Sequence, residues 1–226
     1  MPAGRCGRFV PARFHAGLVN CGLTTFCDPI TSGQQAIGHT VLDTIILLTG
    51  EVEYPLLASV LRSHNPRLTL RPVATSADVA ALEPQSLRGA RLIAFATDVV
   101  VTPNILDQLG YGAYNFHSGP PHFPGWRPAH FAIHHGATEF GATAHVMLER
   151  VDAGPIVGVE LFSIPDGTTV QGLEELAYAR LARLFCQLAR PLAMEVGPLP
   201  ELAVRWSGKK TSRRALAALS ETAPSV

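Results

Sequence analysis

The sequence predicts an α/β protein with a Rossmann-like, doubly wound and mostly parallel sheet. Short apolar runs of strand length alternate along the chain with segments whose apolar residues recur at helical spacing. Continuous apolar runs are typical of strands that are buried on both faces of a parallel sheet. Glycine and proline punctuate the boundaries, and strands that alternate with helices favour a doubly wound sheet.

The first strand is predicted at residues 43–48, where an apolar run ends in Thr49 and Gly50. Three further strands are predicted at residues 68–73, 90–96 and 114–117. Two later segments alternate between apolar and polar residues and are expected to pair with each other, at residues 143–148 and 156–164. Ligands of such sheets bind at the carboxyl ends of the strands, so the residues that end the fourth strand are candidate site residues.

Helices are predicted where apolar positions recur every third or fourth residue and a cap or stop signal is present. They lie at residues 54–63, 103–109 and 129–135, and from a cap at Thr168 or Thr169 to about residue 193. Residues 202–206 are a possible last strand, and residues 209–214 are a basic segment. We therefore predict a folded domain at residues 41–195 and a C-terminal tail at residues 196–226.

Residues 1–40 differ in composition from the rest of the chain. They contain arginines, glycines and scattered cysteines without a clear period, and their first acidic residue is Asp28. Such segments are typical of targeting peptides, but the amphipathic helix expected of one is not visible. We expect instead a flexible N-terminal extension, or a gene start assigned too far upstream with Val41 as the initiator.

The composition argues against several classes of protein. The chain of 226 residues is 47% hydrophobic with a formal net charge of zero, so it lacks the basic excess of a nucleic-acid-binding surface. No apolar run reaches the length of a membrane span. The four cysteines show no CxxC spacing, so we predict no metal site and no disulfide framework, which favours the cytoplasm.

Asn115, His117 and Asp152 supply an amide, an imidazole and a carboxylate. They lie in short segments that are bounded by glycine and proline. Asn115 and His117 are two residues apart on a predicted strand, so their side chains point to the same face. Asn115 can stabilise an oxygen that gains negative charge, and His117 can move a proton near neutral pH. Asp152 would orient the imidazole and raise its pKa. Each alone is more often structural, but together they suit attack of an amine on a carbonyl carbon through a tetrahedral intermediate.

The motifs around these residues carry a resemblance to a known family. They are Asn115-Phe116-His117, Gly125 with Pro128, Ala132-Ile133-His134-His135-Gly136, Gly141-Ala142-Thr143-Ala144-His145 and Asp152-Ala153-Gly154-Pro155-Ile156. Over about residues 42–195 the chain resembles the folate-dependent formyltransferases, which include enzymes that formylate phosphoribosylglycinamide, methionyl-tRNA and amino sugars.

The resemblance implies that Asn115, His117 and Asp152 are catalytic and that 10-formyltetrahydrofolate donates a formyl group to a primary amine. Backbone groups of Val99 and Val101, after the third strand, would hold the pterin. The loop at residues 149–154 would lie along the other side of the pterin. The candidate folate-binding residues are therefore Val99, Val101, Thr143, His145 and Gly154.

Departures from the family pattern concern the acceptor. Gly119 replaces the serine that the family usually places two residues after the histidine, and prolines stiffen the loop at residues 119–124. His122 in this loop is either a second base or a surface histidine. Glu51 and Glu53 lie where the purine-pathway enzymes bind a phosphate, so a neutral or cationic amine is expected unless both carboxylates face solvent.

We therefore expect a small-molecule amine as acceptor and no nucleic-acid or membrane partner. The sequence makes no prediction of the oligomeric state. Residues 196–226 are short beside the second domain of the transfer-RNA enzymes. Two alternatives remain: a hydrolase of the same fold that releases formate, and a non-catalytic folate- or metabolite-binding domain. Hydrolases of this kind usually carry an N-terminal regulatory domain, for which residues 1–40 are too short.

Overall fold

The computed structural model describes residues 42–222, and the expectations for residues 1–40 and for Val41 lie outside this range. The described strands are β1 Thr44–Leu48, β2 Thr69–Val73, β3 Ala90–Phe95, β4 Ala113–His117, β5 Glu139–Val146 and β6 Ile156–Ser163. The described helices are α1 Tyr54–His64, α2 Ser76–Ala80, α3 Pro84–Leu87, α4 Pro103–Leu106, α5 Pro128–His134, α6 Val170–Met194 and α7 Arg213–Thr222.

The strands form one six-stranded sheet in the order β2-β1-β3-β4-β5-β6. β1 to β4 run parallel, whereas β5 is antiparallel to both β4 and β6. Helices α1 and α6 pack against one face of the sheet, and α2, α3 and α4 pack against the other. The predicted doubly wound, mostly parallel α/β fold is confirmed.

Several features of the described chain differ from the prediction, among them helix α7 at Arg213–Thr222, which was not predicted. The short helices α2 and α3 were not predicted, because five and four residues hold too few apolar positions for a periodic signal. Residues 202–206 are not a strand. The N–H of Leu202 donates to the carbonyl of Ile156 on edge strand β6, but the N–H of Ser207 donates to Pro121 in a different loop. The segment crosses the edge of the sheet, so it cannot form a ladder along it.

The C-terminal end of α6 is held by Arg91, whose side chain is fully buried at the start of β3. Its guanidinium donates to the carbonyl oxygens of Tyr111 at 3.0 Å, Leu192 at 2.7 Å and Gly197 at 3.0 Å. The last carbonyls of a helix lack partners within the helix and favour a nearby cation. Arg91 therefore fixes both where α6 ends and where the chain leaves it.

No helix among residues 42–222 is long and apolar enough to cross a membrane. Within the same range, no three histidine, cysteine or acidic side chains are grouped so that they could hold a metal ion.

Replacing Arg91 by methionine should lower the free energy of unfolding by about 3 kcal/mol, because the carbonyls of Tyr111, Leu192 and Gly197 would lose their buried donor. Urea unfolding followed by circular dichroism measures this change. Arg183 on α6 is a matched control, because its side chain is 59% exposed and lies 3.5 Å from Glu160. Arg183→Met should change the free energy by less than about 0.5 kcal/mol, and equal effects of the two substitutions would contradict the anchoring role.

Candidate active site

The register of β4 against β5 brings four polar side chains to one face of the sheet. Asn115 lies opposite His145, and His117 lies opposite Thr143. The intervening Phe116 points to the other face, where it packs in the core with α6. The site therefore lies at the carboxyl end of β4 on the face away from α6, as the sequence predicts for Asn115 and His117.

Asp152 joins these side chains from the turn between β5 and β6, where its backbone adopts the left-handed conformation with φ of 50°. Its Oδ2 accepts a hydrogen bond from the N–H of Gly125 at 2.8 Å. Its Oδ1 lies 3.3 Å from Nε2 of His145, and Oδ2 lies 3.9 Å from Nδ1 of His117. The carboxylate thus stands between two imidazoles and also fixes the loop before α5.

The hydrogen bonds of the two imidazoles define where their protons lie. Nδ1 of His145 lies 2.8 Å from the carbonyl oxygen of Val146, and Nε2 of His117 lies 3.2 Å from the carbonyl oxygen of Phe123. A carbonyl oxygen only accepts, so each of these nitrogens carries the hydrogen. Nε2 of His145 lies 3.1 Å from the Asn115 amide nitrogen and 3.3 Å from Oδ1 of Asp152, and Nδ1 of His117 is left to take a proton.

The site keeps His117 neutral and Asp152 ionised near neutral pH. Burial lowers the pKa of His117, and the nearby Asp152 offsets this only in part. The sequence-based expectation that Asp152 acts to raise this pKa has the right sign, but burial outweighs it. Burial alone would raise the pKa of Asp152, but His117, His145 and the Gly125 N–H together lower it to about 2.

Three residues around the cluster allow close approach of its parts. The buried Thr143 hydroxyl donates to the carbonyl of Gly119 at 2.7 Å. A Cβ at Gly119 would fall 2.6 Å from Nε2 of His117, and a Cβ at Gly154 would fall 2.0 Å from the carbonyl oxygen of Val146. The departure from the family's serine at Gly119 therefore follows from the course of this loop.

The segment between β3 and α4 lies outside this hydrogen-bonded cluster. Val101 is buried, and the N–H of Val99 donates to the hydroxyl of Thr97 at 3.1 Å. One contact links the segment to the loop before α5, since the Trp126 indole N–H lies 3.4 Å from the Asp98 carboxylate. The backbone N–H of Val99 would have to exchange its partner to bind a ligand.

The three acceptor-side candidates from the sequence have different surroundings. The Glu53 carboxylate accepts a hydrogen bond from the Tyr178 hydroxyl at 3.3 Å, whereas Glu51 is exposed. Burial and then Glu53 raise the pKa of Tyr178, so its hydroxyl stays protonated. The His122 ring packs against the neighbouring ring of Phe123 in the same loop, with ring centroids 4.9 Å apart. It is not part of the imidazole cluster.

Trp206 is a site residue that sequence reasoning missed. Its ring centroid lies 5.0 Å from that of His145 and 5.8 Å from that of His117, edge-on to both. Its indole N–H donates to the carbonyl of Gly154 at 2.8 Å. The available signal was that this tryptophan lies among the polar and basic residues 205–214. Such a large apolar side chain needs a surface to cover it.

Comparison with known proteins agrees with the fold. Residues 85–182 match the family model described as formyl transferase. A methionyl-tRNA formyltransferase from Streptococcus thermophilus (strain ATCC BAA-250 / LMG 18311) is 30% identical over 194 residues, which cover 76% of this chain and 61% of that protein. The chain spans between 53% and 61% of the length of three such curated relatives.

Solved structures give the same fold at low identity. A sugar N-formyltransferase from Shewanella sp FDAARGOS_354 has a TM-score of 0.66 and 16% identity over 79% of each chain. A formyltransferase from Anoxybacillus kamchatkensis, in complex with UDP-4,6-dideoxy-4-formamido-L-AltNAc and tetrahydrofolate, has a TM-score of 0.58 and 16% identity over 79% of this chain and 90% of that chain. The architecture is therefore the formyltransferase fold. Over residues 85–182, the chain is similar to the formyl transferase family.

Gly119→Ala should destabilise the chain by about 1–3 kcal/mol, because the new methyl group must displace the His117 ring or Pro128. Gly89 provides the matched control, since a Cβ there would meet nothing within 4 Å. Gly89→Ala should change stability by less than about 0.5 kcal/mol. Thermal unfolding of both variants measures the difference, and an unchanged Gly119→Ala variant would contradict the tight packing inferred here.

The lowered pKa of Asp152 predicts an acid-dependent stability. A carboxyl group whose pKa drops from 3.8 in the unfolded chain to about 2 in the folded chain stabilises the fold fully above about pH 4, by roughly 2 kcal/mol. This contribution disappears as the pH falls toward 2. The stability difference between the unsubstituted chain and Asp152→Asn should therefore shrink from pH 4 to pH 2, as measured by chemical unfolding. The exposed Asp107 offers a control, and an Asp152→Asn difference that is independent of pH would be the contrary result.

Proposed function

We propose that this chain transfers a formyl group from 10-formyltetrahydrofolate to the primary amine of a small-molecule acceptor. One observation carries the proposal: Asn115, His117 and Asp152, which match the catalytic residues of the family, lie in one buried cluster at the carboxyl end of β4. We assign the catalytic domain to residues 41–195 and the reaction to the cytoplasm.

Each of the three residues has a distinct role in the proposed reaction. The Asn115 amide donates a hydrogen bond to the formyl oxygen as it gains negative charge. His117, neutral in this site, takes the proton that the attacking amine releases and returns it to the folate nitrogen. Asp152 stays ionised and stabilises the imidazolium that forms, since its carboxylate lies 3.9 Å from Nδ1.

The folate supplies the activated formyl carbon, so the chain needs no nucleophilic side chain of its own. The residues proposed to hold it are Val99 and Val101 on one side and Thr143, His145 and Gly154 on the other. The donor set fits a pterin, because backbone carbonyl and N–H groups and an imidazole border the two segments. The tetrahydrofolate bound by the Anoxybacillus kamchatkensis structure supports this choice of donor.

A small-molecule acceptor is favoured by charge. The formal net charge is zero, whereas binding of a nucleic acid draws on an excess of basic residues. The half-buried Glu53, which follows β1 and is bonded to the Tyr178 hydroxyl, also disfavours an acceptor phosphate at that position. The likeness to sugar N-formyltransferases supports an amino sugar, and the methionyl-tRNA formyltransferases among the relatives make methionyl-tRNA the acceptor to test against it.

The rate of formyl transfer should rise with pH over about pH 6 to 9 and level off once the pH exceeds the pKa of the acceptor amine. Only the free amine attacks. The pKa of His117 is lowered, so this residue is already neutral in that range and does not set the slope. Steady-state rates with two amines of different pKa test this prediction. The midpoint should follow the amine, and a flat profile would contradict the order of events.

An acceptor panel with 10-formyltetrahydrofolate tests the function directly. Nucleotide-linked amino sugars, amino acids, small metabolite amines and methionyl-tRNA are incubated with the chain, and the mass gain of one formyl group is measured. Asp152→Asn and Asn115→Ala should each lower the rate by about 100-fold or more. Asn104→Ala on the exposed surface of α4 should leave it unchanged.

The outcomes separate the competing functions. Formate release without any amine would support the hydrolase, and formylated methionyl-tRNA would replace the small-molecule acceptor. Folate binding without turnover would support a non-catalytic domain. Full turnover by Asp152→Asn would show that the proposed roles are wrong.

A further inference from the structure

We propose that residues 206–211, the closing segment, form the wall that separates the imidazole pair from solvent, with Trp206 as the residue that excludes water from the reacting groups. This inference rests on the proposed function in one respect. The exclusion of water matters because a formyl group in the site could pass either to an amine or to water. The closing segment itself is inferred from contacts alone.

The indole of Trp206 lies across both imidazoles. It makes edge-on contacts with the rings of His117 and His145, whose side chains are 9% and 3% exposed, and the Asp152 side chain beside them is 3% exposed. The indole N–H is fixed by the carbonyl of Gly154 at 2.8 Å. A site that must admit an acceptor is therefore covered by one large, partly buried side chain.

The rest of the closing segment is bonded to the two loops that flank the cluster. The N–H of Ser207 donates to Pro121 at 2.9 Å, and the N–H of Thr211 donates to Pro124 at 2.8 Å. The Lys210 ammonium donates to the carbonyl of Val151 at 2.8 Å on the opposite loop. The segment therefore bridges the loop at residues 118–127 to the loop at residues 147–155.

One position in the segment admits only glycine. Gly208 has φ of 74°, and a Cβ there would fall 2.3 Å from the carbonyl oxygen of His122. The Thr211 hydroxyl completes the attachment, since it donates to the carbonyl of Trp126 at 2.7 Å. The contact of this segment with the loop is therefore close along its length, as expected of a cover and not of a solvated tail.

Water exclusion has a chemical consequence at this site. If water reaches the formyl carbon, its oxygen bonds to that carbon, the bond to the folate nitrogen breaks, the nitrogen takes one proton, and formate leaves with release of the other. The same Asn115 and His117 that promote attack by an amine would promote this reaction. Because bulk water is in large excess over any amine, a closed site favours transfer.

The experiment compares Trp206→Ala and Trp206→Phe with Lys209→Ala, a variant of the same segment whose side chain is exposed. The first readout is the rate at which diethyl pyrocarbonate modifies His117, resolved by peptide mass spectrometry. The exposed His134 and His135 serve as internal references. The second readout is formate released from 10-formyltetrahydrofolate without acceptor.

Trp206→Ala should raise both the modification rate of His117 and the acceptor-independent release of formate by about 10-fold. Trp206→Phe keeps a ring but loses the bond to Gly154, so it should give a smaller rise in the same direction. Lys209→Ala should match the unsubstituted chain in both readouts. If Trp206→Ala does not fold, the Trp206→Phe comparison tests the same prediction.

Unchanged reactivity of His117 in the Trp206 variants would overturn the closing role. Raised reactivity with no rise in formate release from a chain that does transfer formyl groups would overturn the exclusion of water. If the unsubstituted chain neither transfers nor hydrolyses the formyl group, the proposed function fails. The His117 modification rates then still decide whether the segment closes the site.

Discussion

The buried guanidinium of Arg91 is the interaction on which the layout of this domain depends. It sits at the start of β3, under the C-terminal end of α6, and its partners are backbone carbonyls from three separate stretches of chain. A charge in such a position is stable only while its donors are paired. By binding Gly197 as well as α6, Arg91 directs the tail toward the edge of the sheet. The N–H of Leu199 donates to the hydroxyl of Tyr114 on β4, and the N–H of Leu202 then donates to the edge strand β6. From there the chain passes over the imidazoles.

In the candidate site, the surroundings of two neighbouring groups keep one of them, His117, neutral and the other, Asp152, ionised. Burial favours the neutral form of both His117 and Asp152. For His117 nothing outweighs burial, whereas Asp152 has a backbone N–H and two imidazoles directed at it. A neutral base beside a permanent carboxylate is the arrangement that acid–base catalysis needs near neutral pH.

Sequence reasoning predicted the strands and the placement of Asn115 and His117 because both depend on local patterns. Apolar runs identify β1 to β4, and alternation identifies β5 and β6, although β5 begins at Glu139, before the predicted residue 143. Asn115, His117 and Asp152 followed from their motifs. The position of Trp206 could not be predicted, because it depends on where α6 ends and on the path across the sheet edge. The lowered pKa of His117 depends on how deeply the folded chain buries it.

The pairing of β4 with β5 has a consequence for how this domain can diversify. Asn115, His117, Thr143 and His145 share a face only in the observed antiparallel register, and a shift by one residue would turn all of one strand's side chains to the opposite face. A one-residue insertion or deletion within either strand would therefore separate these four side chains. The loop at residues 118–127 and the segment over it carry no such constraint of alternation. Changes of length there can reshape the entrance while these four side chains keep their positions, so the rim of the site can diverge while its floor stays the same.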